Sequence, residues 1–204
     1  MIRRIGLATT IAAVAILTLG LLALAPAAAQ AGSASVRITG GNTLQVVGDD
    51  TANDISVESG FNPACPGGGR CFWFQSESSV MIALAPCVIR EVPGKGHQAV
   101  CPPEGLNIVA MFGRGGRDTL DGVTKFLKAN LHGDSGNDRL IAGYGNATLF
   151  GGPGSDDLIG GPGNDLLLGQ AGNDVMDGRK GHDRCIGGRG RDTPRQCERV
   201  QSVP

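Results

Sequence analysis

Aromatic side chains are scarce in this chain: one Trp, one Tyr and six Phe among 204 residues. Set beside 34 glycines, that scarcity excludes a helical bundle, because glycine destabilises helix interiors and no sustained apolar stripe at helical spacing is present to bury. An excess of either charge is missing too. The formal net charge is −1, which provides no electrostatic footprint for nucleic acid. Catalytic signatures are equally absent: neither H-E-x-x-H nor G-x-S-x-G occurs. The three histidines have no partner implied by spacing and read as surface residues, His97 in a loop, His132 before a turn and His182 at a variable turn position. Gly-rich turns such as Gly161-Pro162-Gly163-Asn164-Asp165 lack the following Lys-Ser/Thr of a phosphate cradle. The expectation is a protein that is not an enzyme.

A long apolar run occurs at the start of the chain. Arg3 and Arg4 precede the apolar stretch Ile11 to Ala25, and Pro26 to Ala31 supplies small residues suited to cleavage. Residues 1–31 therefore read as a secretory signal peptide, leaving a secreted protein with no membrane segment after cleavage. Losing Arg3 and Arg4 takes the formal charge from −1 to −3. The cysteines fit an oxidising compartment. All six lie outside that segment as close pairs, Cys65/Cys71, Cys87/Cys101 and Cys185/Cys197. Six cysteines allow fifteen connectivities, of which proximity favours these three. The C-x-x-C and paired-His spacings of a zinc site are absent.

What the chain has in abundance is a nine-residue period. Units begin at Gly133, Ala142, Gly151, Gly160, Gly169, Gly178 and Gly187, and an earlier copy runs from Gly113 to Asp121. Gly151 to Ile159 and Gly160 to Leu168 match G-G-x-G-x-D-x-U-x at every fixed position, U being a large apolar residue. Six Gly-rich residues suit a turn. The remaining three suit a short strand with its middle side chain inward. One such strand buries nothing by itself. Stacked coils bury a continuous column, Leu140, Leu149, Leu158, Leu167, Met176 and Cys185. The sixth positions are Asp138, Ala147, Asp156, Asp165, Asp174, Asp183 and Asp192. A carboxylate ladder repels itself unless cations sit between its rungs, and no Lys or Arg recurs in register. Oxygen donors of this kind suit a hard cation such as Ca²⁺.

The repeat resembles the RTX, or hemolysin-type, calcium-binding nonapeptides. The resemblance covers about Gly113 to Asp192 and implies an all-β fold, a right-handed parallel β-roll in which two nonapeptides complete one coil. It implies calcium between turns two units apart, held by sixth-position aspartates and by turn carbonyls such as those of Gly152, Gly154, Gly161 and Gly163. Asp138, Asp156, Asp174 and Asp192 then share one edge with three sites, and Ala147, Asp165 and Asp183 share the other with one complete site. About four ions are expected in all. Asp118 precedes Asp138 by twenty residues rather than eighteen, which leaves a site between them in doubt.

Three parts follow: the signal peptide at 1–31, a β-rich section with two disulfides at 32–112, and the roll with a C-terminal cap at 113–204. Strands are expected at 35–39, 43–47, 71–75, 80–84 and 106–111, with a Pro/Gly-rich loop between Ala85 and Glu104. Asn53 to Val57 reads as a decayed repeat unit whose apolar residue is displaced by one. Lys125 to Leu131 reads as one more strand of the stack. Pro194 stands where an inward apolar residue belongs, so the stack is expected to stop there, closed by Cys185–Cys197. Ninth positions point outward. Phe150, Leu168 and Ile186 fall on one face beside Leu166, an apolar stripe suited to self-association or a protein partner. The functional expectation is a secreted calcium-binding repeat protein with a structural or interaction role. A small secreted hydrolase stabilised by the roll and a calcium-dependent adhesive module are the alternatives.

Overall fold

The structure is a computed structural model that describes residues 32–39, 42–61, 70–76, 79–83, 88–92, 96–101, 106–122 and 128–203. No helix occurs among them. The first seven strands are β1 (Gly32–Thr39), β2 (Thr43–Val47), β3 (Asp54–Phe61), β4 (Arg70–Ser76), β5 (Ser79–Ala83), β6 (Val88–Val92) and β7 (Gly96–Cys101). Next come β8 (Ile108–Gly115), β9 (Thr119–Asp121), β10 (Lys128–Ser135), β11 (Arg139–Ile141), β12 (Ala147–Pro153) and β13 (Asp157–Pro162). The last are β14 (Leu166–Ala171), β15 (Val175–Lys180), β16 (Arg184–Arg189), β17 (Thr193–Arg195) and β18 (Arg199–Val203).

Successive strands of the repeat fall alternately into two sheets, so one coil consumes two nonapeptides. One sheet runs β18-β16-β14-β12-β10-β8-β2-β1-β5, and the other β17-β15-β13-β11-β9-β3-β4-β7-β6. From β2 and β3 onward, neighbours along each stack are parallel. Leu149 pairs with Leu167 and Leu167 with Cys185, while Leu140 pairs with Leu158 and Leu158 with Met176. The eighth-position residue is the only one of each strand triplet aimed between the sheets. Val46, Met111, Leu131, Leu149, Leu167 and Cys185 line one side of the core, and Ile55, Leu120, Leu140, Leu158 and Met176 line the other. All have no exposed surface. Burying one such side chain is worth about 1.5–3 kcal/mol, and the stack repeats that gain at every coil.

The roll's register reaches further in both directions than the strict repeat. Ile55 pairs with Leu120 and Val46 with Met111, so β2, its turn and β3 form a coil in frame. Asn53, not Asp54, holds the sixth position. The apolar residue is therefore not displaced. At the other end Pro194 does not stop the stack: β17 pairs with β15 through Pro194 and Met176, and β18 pairs beyond it with β16. A three-residue strand tolerates proline at its outermost edge, where no further ladder needs its N–H. The strand expected from Lys125 begins at Lys128, residues 123–127 lying outside the description. The expected loop between Ala85 and Glu104 contains β6 and β7, an antiparallel pair, with His97 inside β7. Prolines and glycines dominate that local pattern, but cross-strand pairing with β4 organises it.

Candidate metal centre

Each coil turns sharply twice, and the turns stack into two edges. Fourth-position glycines make close stacking possible. Gly154 sits at φ 153°, and a Cβ there would overlap the Gly136 carbonyl of the coil before. Only glycine fits both demands. Two hydrogen-bond ladders then tie coil to coil. On the outside, fifth-position side chains accept backbone N–H groups from the next coil: Ser155 N to Asn137 Oδ1 at 2.8 Å, Asn164 N to Asn146 Oδ1 at 3.0 Å, His182 N to Asn164 Oδ1 at 2.9 Å. This fifth-position ladder was not read from the sequence, although Asn recurs there.

The inner ladder runs the opposite way. Asp118 N donates to Asp138 Oδ1 (2.8 Å), Asp138 N to Asp156 (2.8 Å), Asp156 N to Asp174 (2.9 Å) and Asp174 N to Asp192 (3.1 Å). On the other edge Ala147 N donates to Asp165 Oδ1 (2.7 Å) and Asp165 N to Asp183 (2.8 Å). The two residues of excess spacing between Asp118 and Asp138 leave this geometry unchanged. Each carboxylate thereby uses one oxygen. The second oxygen, Oδ2 of Asp118, Asp138, Asp156, Asp165, Asp174, Asp183 and Asp192, is buried without a hydrogen-bond partner.

Such oxygens are costly unless protonated or paired with a cation. Burial pushes the Asp156 carboxyl up to about 7 and those of Asp118 and Asp165 to about 6. Asp138, Asp174 and Asp183 are raised for the same first reason, with neighbouring carboxylates adding to it. Arg139 pairs with Asp157 and Arg179 with Asp177, neither of them a ladder carboxylate. No three His, Cys, Asp or Glu side chains converge among the described residues. A cation here would be held by one or two carboxylates and by backbone carbonyls, an all-oxygen set that suits calcium.

The Asn53 unit displays which carbonyls face the slot. Its Nδ2 donates to the second- and fourth-position carbonyls of its own turn, Asp49 O (3.2 Å) and Thr51 O (2.5 Å), and to Asp118 Oδ1 (3.2 Å). Gly152 and Gly154, and Gly161 and Gly163, occupy those second and fourth positions in later units. First-position glycines border the same slot. A Cβ on Gly160 would lie 2.5 Å from Asp165 Oδ2 and 2.9 Å from Gly178 O, and on Gly48 it would lie 2.8 Å from Asn53 Nδ2 and 2.8 Å from Gly113 O.

Two features of the edges were missed from sequence. Glu198, fifteen residues after Asp183, accepts the Asp183 N–H and extends the second ladder beyond the last nonapeptide. That bond draws its pKa down. The three-residue segment Gln196 to Glu198 replaces a six-residue turn, which hides the carboxylate from a nine-residue frame. The other is Ala142. The unit lacking a sixth-position carboxylate, at Ala147, also lacks its first-position glycine, so a methyl stands where other units accommodate Oδ2. Both alanines are 5% exposed.

Cys185 and Cys197 form a disulfide with Cα atoms 6.0 Å apart. Cys101 is also disulfide-bonded. Cys65 and Cys87 lie outside the described residues, and Cys71 lies in β4. On the outer face of the first sheet Phe112, His132 and Phe150 stack face to face, with ring centroids 4.7 and 4.4 Å apart. His132 is thus a half-buried rung of the apolar row, not a plain surface residue, and burial lowers its pKa.

The fold and this edge geometry define a parallel β-roll built on a calcium-binding repeat. Residues 132–167 and 159–194 match the family model of the RTX calcium-binding nonapeptide repeat (4 copies). No curated protein and no solved structure matches the chain. The region 132–194 is an RTX calcium-binding repeat array, a structural metal-binding motif rather than a catalytic one.

Proposed function

We propose that calcium occupies the slots between successive coils and that its binding folds the roll of a secreted protein with a structural or interaction role. The carrying observation is the row of buried Oδ2 atoms, one per unit, with no hydrogen-bond partner. Asp118, Asp138, Asp156, Asp174 and Asp192 hold ions on one edge, and Asp165 and Asp183 on the other. The second- and fourth-position carbonyls, those of Gly152, Gly154, Gly161 and Gly163 among them, complete the oxygen set. Five aspartate pairs are linked across coils, one more than four intact sites, because Asp118 stands in register. Bound calcium supplies the positive charge that lets these carboxylates stay ionised at close spacing. Export rests on residues 1–31 and on the cysteine pairs. Isothermal titration of metal-free protein tests the reading: saturable binding with several ions per chain supports it, and no heat above a buffer blank at millimolar calcium overturns it.

A second reading concerns partners. Phe112, His132, Phe150, Leu168 and Ile186 form one continuous outward row, each residue only half-buried. Such a row suits docking of a second copy or of another protein.

A further inference from the structure

We propose that Asn53 is a built-in replacement for calcium, so that the first coil of the roll closes without an ion and the calcium array starts at Asp118. The inference rests on the reading that calcium fills the inter-coil slots. Three observations carry it. Asn53 holds the position of the ladder aspartates, its backbone N–H donating to Asp118 Oδ1 at 2.6 Å. It is 2% exposed. Its side-chain nitrogen sits beside Gly48 as Asp165 Oδ2 sits beside Gly160.

The chemical difference is the sign of that atom. In the aspartate units an unpartnered carboxylate oxygen, itself an acceptor, lies beside a backbone carbonyl oxygen of the neighbouring coil. At Asn53 the same place holds an NH₂ group, a donor with two hydrogens. It reaches Asp49 O, Thr51 O and Asp118 Oδ1, the groups that a cation would otherwise hold together. Asn53 has no orphaned atom, whereas Asp118, one coil on, has Oδ2 unpartnered. A neutral amide thus performs at the first rung what a divalent ion performs at the rest. The consequence is an asymmetric roll. The coil of β2, Gly48 to Asn53 and β3 is ordered before metal arrives and offers the strand edges on which β8 and β9 pair.

Asn53→Asp in the full chain tests this, with Asn53→Ala as its control. The aspartate variant is expected to bind one more calcium ion per chain than wild type by titration. Hydrogen exchange of residues 54–57 should be slow in chelator for wild type, fast for Asn53→Asp, and slow again for that variant once calcium is added. Asn53→Ala should lose protection in chelator and not regain it with calcium. An Asn53→Asp protein that stays unprotected in saturating calcium overturns the proposal, and so does unchanged stoichiometry. Wild type that binds no calcium overturns the underlying reading instead.

Discussion

A single methyl decides whether an inter-coil slot on the second edge is open. In every unit with a ladder aspartate, the missing Cβ of the first-position glycine makes room for Oδ2. Ala142 fills that room in the unit where Ala147 has no carboxylate. Ala147→Asp alone is therefore expected to destabilise the roll and add no site, because two groups compete for one space. The pair Ala142→Gly with Ala147→Asp should add one ion to the stoichiometry measured by titration. Equal stoichiometry for wild type and the double variant would place the methyl outside the slot. Position along the ladder matters equally. Asp174 is bonded to both Asp156 and Asp192, whereas Asp192 is linked only to Asp174. Asp174→Ala should cost two rungs of bound calcium and Asp192→Ala one, read by titration under the same conditions.

At the scale of elements, the ends and faces of the stack differ. The last coil exposes its interior: Val200 in β18 stacks on Cys185 yet is 53% exposed. The Cys185–Cys197 bond, closing a separation of 12 residues, fastens β18 to the column it would otherwise leave. Loop closure of that size stabilises by about 3 kcal/mol in the chain-entropy model. Cys197→Ser should lower unfolding stability by roughly that amount in calcium-loaded protein, measured by urea denaturation. A change near zero would mean that strand pairing alone holds the end. On the outer face of the first sheet, Phe150 stacks on His132 and pairs with Leu168, and an aromatic pair contributes about 0.5–1.5 kcal/mol beyond its burial. Phe150→Ser with Leu168→Ser distinguishes the uses of this face. Lower melting temperature in a monomer means that the row stabilises its own sheet. Loss of self-association, seen by sedimentation, means that it docks a second copy. With neither effect the row has no role in either.

For the whole molecule, the proposed function makes stability a balance between protons and calcium. Six ladder carboxyls, those of Asp118, Asp138, Asp156, Asp165, Asp174 and Asp183, are raised in the metal-free fold, to about 7 at Asp156 and about 6 at Asp118 and Asp165, against 3.8 ordinarily. The metal-free fold thus binds more protons than the unfolded chain between those values. Its stability is greatest below the ordinary carboxyl range and declines as pH rises through about 6 to 7. Under the proposed function calcium should reverse the trend, since it would bind the ionised form and release protons. In chelator the β signal in circular dichroism should be larger at pH 5 than at pH 7.5, and the gain on adding calcium should be small at pH 5 and large at pH 7.5. Ordering the Gly-rich turns costs about 1–2 kcal/mol per residue, so residues 133–192 should show little β structure by circular dichroism in chelator at pH 7.5. They should fold cooperatively near ~10⁻⁴–10⁻³ M calcium, as extracellular calcium modules do. Identical spectra with and without chelator would exclude calcium-driven folding.

The nine-residue period by itself determined the turn-and-strand unit and the inward column, which follow from strand alternation, a local rule repeated in register. That two units complete one coil, and so divide the aspartates between two edges, came with the resemblance to the RTX nonapeptide. The period could not disclose what happens where it breaks. Asn53 and Glu198 take ladder positions only because β3 and β18 pair with β9 and β16, and strand pairing is insensitive to the number of residues in the connecting turn. The excess spacing before Asp138 vanishes for the same reason. Ala142 matters only because the fold of its own turn brings its methyl to the place where other units hold a carboxylate oxygen. Chemistry at the slots was legible from residue types. Which slots are open, closed by a methyl or already filled by an amide was decided by the three-dimensional shape of each turn together with the coil stacked on it, through atoms the period does not relate.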